Sequence, residues 1–291
     1  MGATSKTIQL FAFLLISLSS VHLAHGNNFS AQFEIAWGDS EHAKVSEDGS
    51  VLSLTLDQSS GARLQSHDMY QYGRLDMLIK LVPHNSQGTV TTFYPSSDGS
   101  DQDEIDFEFL GNYADKEYVL HTNVWTRGTG HREQQFRLWF DPRTDFHNYS
   151  ILWNPFNIIW YVDDTPVRVF RNYTAEGIQY PYLPMRTLVS IWNGDSWATD
   201  NGKTKIDYSQ APFTSWYANY TESACMVTNS TDNGSGSGWS PDCGTNPWFD
   251  RTLSSEEMNN LTWVHDNYMI ANYCTDAYLS PNGFPPECYL S

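Results

Sequence analysis

Basic residues are scarce in this chain of 291 residues, where 16 Lys and Arg stand against 34 Asp and Glu for a formal net charge of −18. Such a surface repels phosphate backbones, so nucleic acid is not an expected partner. The sequence also has neither the G-x-S-x-G elbow of serine hydrolases nor the H-E-x-x-H motif of zinc proteases. These absences remove the main sequence support for three functional classes.

Long apolar runs are equally rare, and the one that stands out, from Ile8 to Leu18, follows Lys6 and precedes Ala24-His25-Gly26. This pattern is typical of a secretion signal, so we expect residues 1–26 to be removed and the chain to be secreted. The alternative, a membrane anchor, needs about 20 consecutive apolar residues. Serines from Ser17 onward interrupt the run too early, so no membrane partner is expected.

Cysteine is absent from the first three quarters of the chain, and the four that follow do not have the spacing of zinc ligands. In a secreted chain they are expected to pair as two disulfides. Three pairings are possible, and the simplest closes two short loops, Cys225 with Cys243 and Cys274 with Cys288. No metal or cofactor is expected.

Seven N-x-S/T sequons suit a secreted glycoprotein, and exposure decides which of them carry glycans. Asn148 lies inside an apparent strand and is the least suitable. The remaining candidates are Asn28, Asn172, Asn219, Asn229, Asn233 and Asn260.

Helical periodicity is absent from most of the chain, which reads instead as short strands separated by turns. Asp163-Asp164 is a predicted hairpin turn. Many strands at regular spacing predict an all-β sandwich or jelly roll, because one large sheet would leave a face unburied. The predicted strands cover 50–56, 75–82, 89–94, 103–109, 118–125, 132–140, 149–153, 158–162, 167–170 and 188–192.

The C-terminal part differs in character. Residues 228–240 are polar and rich in glycine, which predicts a flexible loop. Ser254, with Glu257 three residues later, forms a capping box that predicts a helix packed on the edge of the sandwich. Its predicted apolar face contains Met258, Leu261, His265 and Tyr268.

Aromatic residues make up 15% of the chain, with 11 Trp. Their flat rings could serve as platforms for sugar faces, or they could fill an aromatic-rich β core. Composition alone leaves both interpretations open at any single Trp.

Acidic and apolar residues alternate strictly from Asp103 to Phe109. In a strand this pattern places Glu104, Asp106 and Glu108 on one face. Neighbouring carboxylates repel each other and raise at least one pKa, which suits a glycosidase that needs one protonated and one ionised carboxyl group. Backbone spacing favours residues two apart, roughly 6.6 Å, over Glu104 with Glu108, roughly 13 Å.

Two other interpretations of the acidic strand remain open. A strand with one acidic face is commonly a solvated sheet surface. Alternatively, Asp98, Asp101 and Asp103 bring further oxygens near the strand and could contribute to a calcium site, although strand-held carboxylates rarely converge on one ion.

The segment from Asp103 to Asn112, DEIDFEFLGN, resembles the active-site signature of plant xyloglucan endotransglucosylase/hydrolases, in glycoside hydrolase family 16. The resemblance extends over nearly all of the mature chain. It includes HTNV at 121–124, REQQF at 132–136, YSILWN at 149–154, SIWN at 190–193, SWAT at 196–199, APF at 211–213, NYCTD at 272–276 and PPEC at 285–288.

The resemblance implies a curved jelly roll, expected over residues 27–215, and a disulfide-bonded extension with one helix, expected over 216–291. It implies that Glu104 is the nucleophile, Glu108 the general acid/base and Asp106 an assisting carboxylate, which overrides the pairing that spacing favours. Trp192 is either a sugar platform or a core residue. Further residues implied to line the cleft are His121, Thr122, Asn123, His131, Arg132, Glu133, Ser196, Trp197 and Asn201.

The activity implied is cleavage of a β-glucan and transfer to a second chain in the cell wall, the apoplast, by a monomer. Residues 192–213 show no insertion relative to the transferase-type pattern, which favours transfer over hydrolysis. The sequence departs from the family by lacking a sequon directly after the signature, and by having Leu279 where the family commonly has an arginine beside the acceptor subsites. Losing that planar donor makes cellulose or mixed-linkage glucan credible acceptors beside xyloglucan.

Two other functions stay open. A plain endo-glucanase would use the same carboxylates with water as the acceptor. A carbohydrate-binding jelly roll without catalysis would have no need to hold Glu104, Asp106 and Glu108 together against their repulsion.

Overall fold

The computed structural model describes residues 28–228, 238–239 and 243–290. The expected secretion signal and most of the glycine-rich loop lie outside these residues. The strands are β1 Phe33–Trp37, β2 Ala43–Val45, β3 Val51–Leu56, β4 Ala62–Ser66, β5 Tyr70–Lys80, β6 Thr89–Ser96, β7 Glu104–Leu110, β8 Val119–Trp125, β9 Gln134–Arg137, β10 His147–Trp153, β11 Asn157–Val162, β12 Thr165–Arg171, β13 Arg186–Asn193, β14 Phe213–Thr228, β15 Gly238–Trp239 and β16 Met269–Asn272; the helices are α1 Phe29–Gln32 and α2 Ser255–Tyr268.

The strands form two sheets. The first, which we call the cleft sheet, has the order β1-β4-β13-β6-β7-β8-β9-β16. The second, the outer sheet, has the order β12-β11-β10-β5-β14-β3-β2, with β15 paired to β14. The two layers enclose one apolar core, because each sheet contributes the alternate residues of its strands. The predicted all-β sandwich with a helix in the C-terminal part is therefore confirmed.

The acidic strand β7 lies inside the cleft sheet, between β6 and β8. Its apolar residues Ile105, Phe107 and Phe109 are fully buried on the face towards the outer sheet, which we call the core face. Phe107 and Phe109 pack edge-on against Tyr149 of the outer sheet, with ring centroids 5.7 and 4.6 Å apart. The core face of β7 is thus fixed by aromatic packing, which forces the acidic side chains onto the opposite, cleft face.

Trp160 of β11 connects the two layers directly beneath the acids. Its indole is fully buried, and Nε1 donates a hydrogen bond of 3.0 Å to the backbone carbonyl of Asp106. A carbonyl in the middle of a sheet usually bonds a neighbouring strand, so an indole from the other layer marks a local irregularity in the pairing of β7. The register of β6 on β7 stays constant, but between the pairs Phe93 with Phe107 and Ser96 with Glu104 the residues facing each other are not paired.

The predicted turn at Asp163-Asp164 joins β11 to β12. Both residues have positive φ, 47° and 59°, as a two-residue type I′ hairpin requires. Asp163 also accepts a hydrogen bond from the backbone N–H of Asn148. The prediction of a hairpin turn is confirmed.

Helix α2 begins with the predicted capping box, in which Ser254 and Glu257 bond each other's backbone N–H groups. The helix packs on β12 and β16, the edge strands of the two sheets, as expected. Its predicted apolar face needs correction, because Met258 is exposed and the most buried residue is Val264. The contact face is therefore centred on Leu261 and Val264.

The structure joins Cys225 to Cys243 and Cys274 to Cys288, the pairing that closes the two short loops. The second disulfide lies beside an ion pair in which Arg132 Nε contacts Glu287 Oε1 at 2.7 Å. Both side chains are largely buried. This pair ties the chain end to the segment that leads into β9.

Sequence patterns did not predict β14, which has 16 residues and runs across the expected domain boundary at 215/216. Its pairing with β5 shifts register between Ala218 and Thr221, and Asn219 has a positive φ of 49°. Such bulges break the alternation on which strand prediction depends. The two-domain division stays a prediction.

The sequons differ in how accessible their asparagines are. Asn28, Asn219 and Asn260 are exposed, whereas Asn172 is half-buried and its Nδ2 donates to the carbonyl of Pro155. Asn229 and Asn233 lie outside the described residues. Within the described part of the chain, no helix has the length and apolar character that crossing a membrane requires.

Replacing the aromatic anchor beneath the acids tests the packing argument. We expect Phe107→Ala to lower the free energy of unfolding by about 3–5 kcal/mol, because it leaves a cavity between the sheets. Phe156→Ala is the matched control, since that ring is 54% exposed. Denaturant unfolding measures both, and a loss for Phe107→Ala no larger than for the control would contradict the proposed role of the core face.

Candidate active site

The three acids of β7 lie side by side on the cleft face. Glu104 and Glu108 are half-buried and Asp106 is only 4% exposed. They line a cleft of about 510 Å³ together with side chains from β1, β4, β6 and β13. The acidic strand is therefore not a freely solvated sheet surface.

A row of directly paired residues crosses the cleft sheet through Glu108. Because directly opposed residues on adjacent strands point to the same side, this row shares the cleft face. It runs from Trp37 through Arg63, Ser190, Thr92, Glu108 and His121 to Gln135.

Glu108 has the properties of a general acid. Burial, together with the charges of Glu104 and Glu133, raises its pKa to about 8. A carboxyl group with such a pKa is protonated at neutral pH and can give its proton to a leaving oxygen.

Glu104 and Asp106 share a hydrogen bond that assigns them different roles. Burial and the charges of its two neighbours raise the pKa of Asp106 well above its usual range, which favours its protonated form. A protonated Asp106 can donate to Glu104. Burial also raises the pKa of Glu104, but hydrogen bonds from Ser96 and Asp106 and the charge of Arg63 act in the opposite direction. The arrangement favours Glu104 as the ionised member of the set.

His121 is opposite Glu108 on β8, with Nε2 3.7 Å from Oε2 of the glutamate. Burial and the nearby Arg168 charge lower the pKa of His121 to about 3, so the imidazole is neutral and the two do not form an ion pair. Its Nδ1 is 3.2 Å from the Gln135 amide nitrogen, which can only donate. That bond places the ring hydrogen on Nε2, towards Glu108.

Arg168 is a fully buried cation beneath the site. It reaches from β12 of the outer sheet, and its Nη1 donates to the carbonyl and hydroxyl oxygens of Thr122 at 2.8 and 2.9 Å. Nη2 donates to the carbonyl of Arg132 at 2.6 Å. Burial lowers the pKa of Arg168 to about 10, so it remains charged at neutral pH and offsets part of the repulsion around Asp106.

Thr122 does not belong to the cleft, which corrects one expectation. It is opposite Phe107, on the core face, and its hydroxyl bonds Arg168. Asn123 is opposite Asp106 on the cleft face, and its Oδ1 accepts the backbone N–H groups of Val124 and Arg132.

The segment before β9 brings one of its three expected residues close to the acids. Glu133 is near enough to raise the pKa of Glu108, whereas His131 is exposed and has a positive φ of 64°. The guanidinium of Arg132 bonds Glu287 and backbone carbonyls rather than the acids.

The loop after β13 closes one side of the cleft. Trp192 lines the cleft, as a platform would, and it also packs against a small apolar cluster of Val90, Leu110 and Ala198. Trp197 packs against it, with ring centroids 6.1 Å apart, and against His121 at 5.4 Å. Ser196 and Asn201 are exposed on the same loop.

Six further cleft residues were missed by sequence reasoning: Ala36, Trp37, Arg63, Thr92, Tyr94 and Ser190. Thr92 and Tyr94 lie on β6, which pairs with β7 directly, whereas the other four lie on β1, β4 and β13, which are connected to β7 only through other strands. Thr92 and Ser190, for example, are joined by a hydrogen bond of 2.6 Å across 98 residues of sequence. Alternation could have assigned Tyr94 to a face, but not to the neighbourhood of Asp106.

The alternative of a calcium site is not supported by the geometry of Asp103. Its two carboxylate oxygens accept backbone N–H groups of Arg127, Tyr182 and Leu183 and so anchor the start of β7. Within the described residues, no group of three or more His, Cys, Asp or Glu side chains is arranged to hold a metal ion.

Neighbouring carboxyl groups of different protonation state, in a cleft on one face of a β sandwich, define the class of enzymes that cleave glycosidic bonds. Comparison with known families agrees with this class. The model of glycosyl hydrolases family 16 matches residues 29–210, and that of the xyloglucan endo-transglycosylase (XET) C-terminus matches 243–288.

The probable xyloglucan endotransglucosylase/hydrolase protein 23 of Arabidopsis thaliana is 48% identical over 290 residues, which cover 98% of this chain and 97% of that protein. Xyloglucan endotransglucosylase protein 8 of Diospyros kaki is 48% identical over 284 residues, covering 97% of each. The laminarinase from Rhodothermus marinus shares the fold, with a TM-score of 0.56 at 24% identity over 70% of this chain and 94% of that one. The chain belongs to the xyloglucan endotransglucosylase/hydrolase proteins of glycosyl hydrolases family 16.

The buried acid of the site should make stability depend on pH. Ionised Glu108 is disfavoured in the folded protein, so folding loses stability as pH rises from the unfolded pKa, about 4.5, to the folded pKa, about 8. Glutamine cannot ionise, and we therefore expect Glu108→Gln to be more stable than the wild type by about 1–3 kcal/mol at pH 8, with little difference at pH 4.

Denaturant unfolding at several pH values measures this effect. Glu47→Gln is the control, because Glu47 is exposed and should give no such pH-dependent gain. A difference between Glu108→Gln and the wild type that stays constant from pH 4 to pH 8 would contradict a raised pKa at this position.

Proposed function

We propose that this chain is a retaining endo-transglucosylase that cleaves a β-1,4-glucan, xyloglucan above all, and transfers the fragment to another glucan chain. The observation that carries the proposal is that Glu104 and Glu108 line one cleft on the same strand face. The raised pKa of Glu108, about 8, and the hydrogen bonds and Arg63 charge that act to lower that of Glu104 support different protonation states for the two. A retaining mechanism needs one carboxyl group in each state on the two sides of the scissile bond.

In the first step Glu104 attacks the anomeric carbon, and the bond from that carbon to the leaving oxygen breaks. Glu108 gives its proton to that oxygen, and a glycosyl ester on Glu104 remains. In the second step a hydroxyl group of the acceptor glucan attacks the same carbon and loses its proton to Glu108. The ester bond breaks, and both carboxyl groups return to their starting states.

Asp106 lies between the two glutamates and supports them. In its protonated form it donates a hydrogen bond to Glu104, which stabilises the carboxylate before attack. When the ester forms, Glu104 loses its negative charge. The hydrogen bond from Asp106 then no longer has a carboxylate to stabilise. We infer that Asp106 adjusts the ionisation of Glu104 in this way through the cycle.

Transfer competes with hydrolysis for the same intermediate, and the acceptor subsites decide between sugar and water. The family relatives are named as endotransglucosylases or endotransglucosylase/hydrolases. With an uninterrupted loop between Trp192 and Phe213, we propose that transfer predominates. We further propose that the enzyme is secreted as a monomer into the cell wall, and that the segments 27–215 and 216–291 are its catalytic and extension domains.

Removing the nucleophile tests the assignment of the carboxylates. We expect Glu104→Ala to lower transglucosylation and hydrolysis alike by about 10³-fold or more, because no glycosyl ester can form. Transfer of xyloglucan to a labelled oligosaccharide measures the first activity and release of reducing ends the second. Glu47→Ala should retain wild-type activity, and normal activity of folded Glu104→Ala would refute the enzymatic assignment.

The acceptor range tests the consequence of Leu279. This residue is half-buried in the extension, and it offers no side-chain donor where the family commonly has an arginine. With xyloglucan as donor, we expect measurable transfer to cellulose or mixed-linkage glucan oligosaccharides in addition to xyloglucan oligosaccharides. A Leu279→Arg variant should shift the ratio towards xyloglucan acceptors. Exclusive transfer to xyloglucan by the wild type would contradict the prediction.

A further inference from the structure

Arg63 is the cation in the lining of the cleft. The other nine lining residues are three acids and six neutral side chains or backbone segments: Glu104, Asp106, Glu108, Ala36, Trp37, Thr92, Tyr94, Ser190 and Trp192. Arg63 lies on β4, in the row that passes through Glu108, between Trp37 of β1 and Ser190 of β13. Three strand spacings separate β4 from β7, roughly 14 Å. The residue beside Arg63 on β13 is the small Ser190, and the charge of Arg63 acts on Glu104.

The two glutamates differ in the charged side chains that act on them, which come from opposite sides of β7. Glu104 interacts with Ser96 of β6 and with Arg63 of β4. Glu108 interacts with His121 of β8 and with Glu133, just before β9. Since the nucleophile bonds the donor sugar and the general acid protonates the leaving chain, the β4 side is the donor half and the β9 side is the acceptor half.

Tyr94 connects Arg63 to the nucleophile. The guanidinium hydrogen-bonds the Tyr94 hydroxyl, whose other charged neighbours are Glu104 and Asp106. Arg63 Nε is buried and makes no hydrogen bond within the described residues. Because this atom is out of contact with solvent, an acceptor that arrives with the substrate would bond the other guanidinium N–H groups of Arg63, a residue that lines the cleft.

We propose that Arg63 is a specificity-determining residue of the donor half, where its guanidinium hydrogen-bonds hydroxyl groups of the donor glucan while holding Tyr94 beside Glu104. The proposal rests on the function proposed above and names a residue that binds one of its two substrates.

The ligand that fits this position is a neutral sugar rather than an anionic one. Glu104, the acid favoured to be ionised, stands in the same cleft, and the whole chain carries a formal charge of −18, so a uronic acid would meet repulsion that a neutral sugar does not. Trp37, the direct neighbour of Arg63 on β1, is 46% exposed and offers an aromatic ring to the apolar face of a sugar. A ring beside a planar donor suits one glucosyl unit of the donor chain.

Steady-state kinetics of the full chain with xyloglucan as donor test the proposal. In Arg63→Met, which keeps the length of the side chain but loses all donors, we expect the KM for the donor to rise about tenfold, with a smaller change in kcat and an unchanged KM for the acceptor. Arg63→Lys keeps the charge and should recover part of the loss. Arg171→Met is the matched control, because Arg171 is exposed at the end of β12 in the outer sheet.

The pH profile separates a binding role from a merely structural one. Without the positive charge, Glu104 should protonate at higher pH, so the acidic limb of kcat/KM should move upwards in Arg63→Met and stay in place in Arg63→Lys. The titratable groups that face Glu104 are Arg63, Tyr94, Asp106 and Glu108. The last three are unchanged in both variants, which leaves the charge of residue 63 as the variable.

Each outcome decides the proposal. It is overturned if Arg63→Met behaves like Arg171→Met, or if the acceptor KM changes instead of the donor KM. Should Arg63→Met fail to fold, Arg63→Lys and Tyr94→Phe carry the test, and a wild-type donor KM in both would overturn it. A wild type without activity on any β-glucan would instead refute the proposed function, so the two failures are distinguishable.

Discussion

The partial burial of three adjacent carboxyl groups is the constraint on which the site depends. Burial is the largest cause of the raised pKa at Glu104, Asp106 and Glu108 alike, and their mutual repulsion adds to it at Asp106 and Glu108. A solvated strand of the same sequence would hold three ordinary carboxylates. Placing β7 inside a sheet, below a cleft and above an aromatic core, gives three carboxyl groups of one repetitive pattern different environments.

The outer sheet makes that placement possible. Trp160 holds the carbonyl of Asp106, and Arg168 holds the backbone of β8 from below, so the acidic strand itself and its neighbour β8 are fixed by side chains of the opposite layer. Arg168 also supplies a positive charge beneath the acids, whose own strand β7 contains no basic residue. A buried cation needs its donors satisfied, and three hydrogen bonds to Thr122 and Arg132 meet most of that need.

Short sequence patterns correctly predicted the structural features that depend on neighbouring residues alone. The alternation from Asp103 to Phe109, the Asp163-Asp164 turn and the Ser254 capping box each depend on residues within a few positions, and the structure has all three. The register between distant strands could not be predicted, so Arg63 and Ser190 were missed although they line the same cleft as the acids. Thr122 is a different case, because alternation from His121 already places it on the core face. The long strand β14 was not predicted, because its bulges interrupt the alternation of apolar and polar residues by which a strand is recognised in sequence.

The row from Trp37 to Gln135 passes through seven strands, each of which contributes one residue. A glucan lying along this row meets a new strand at every step rather than successive residues of one segment. Successive binding positions are therefore encoded by stretches of sequence far apart in the gene. Substrate preference at one position can drift through single substitutions while the carboxylates, and the preferences at the other positions, are left untouched.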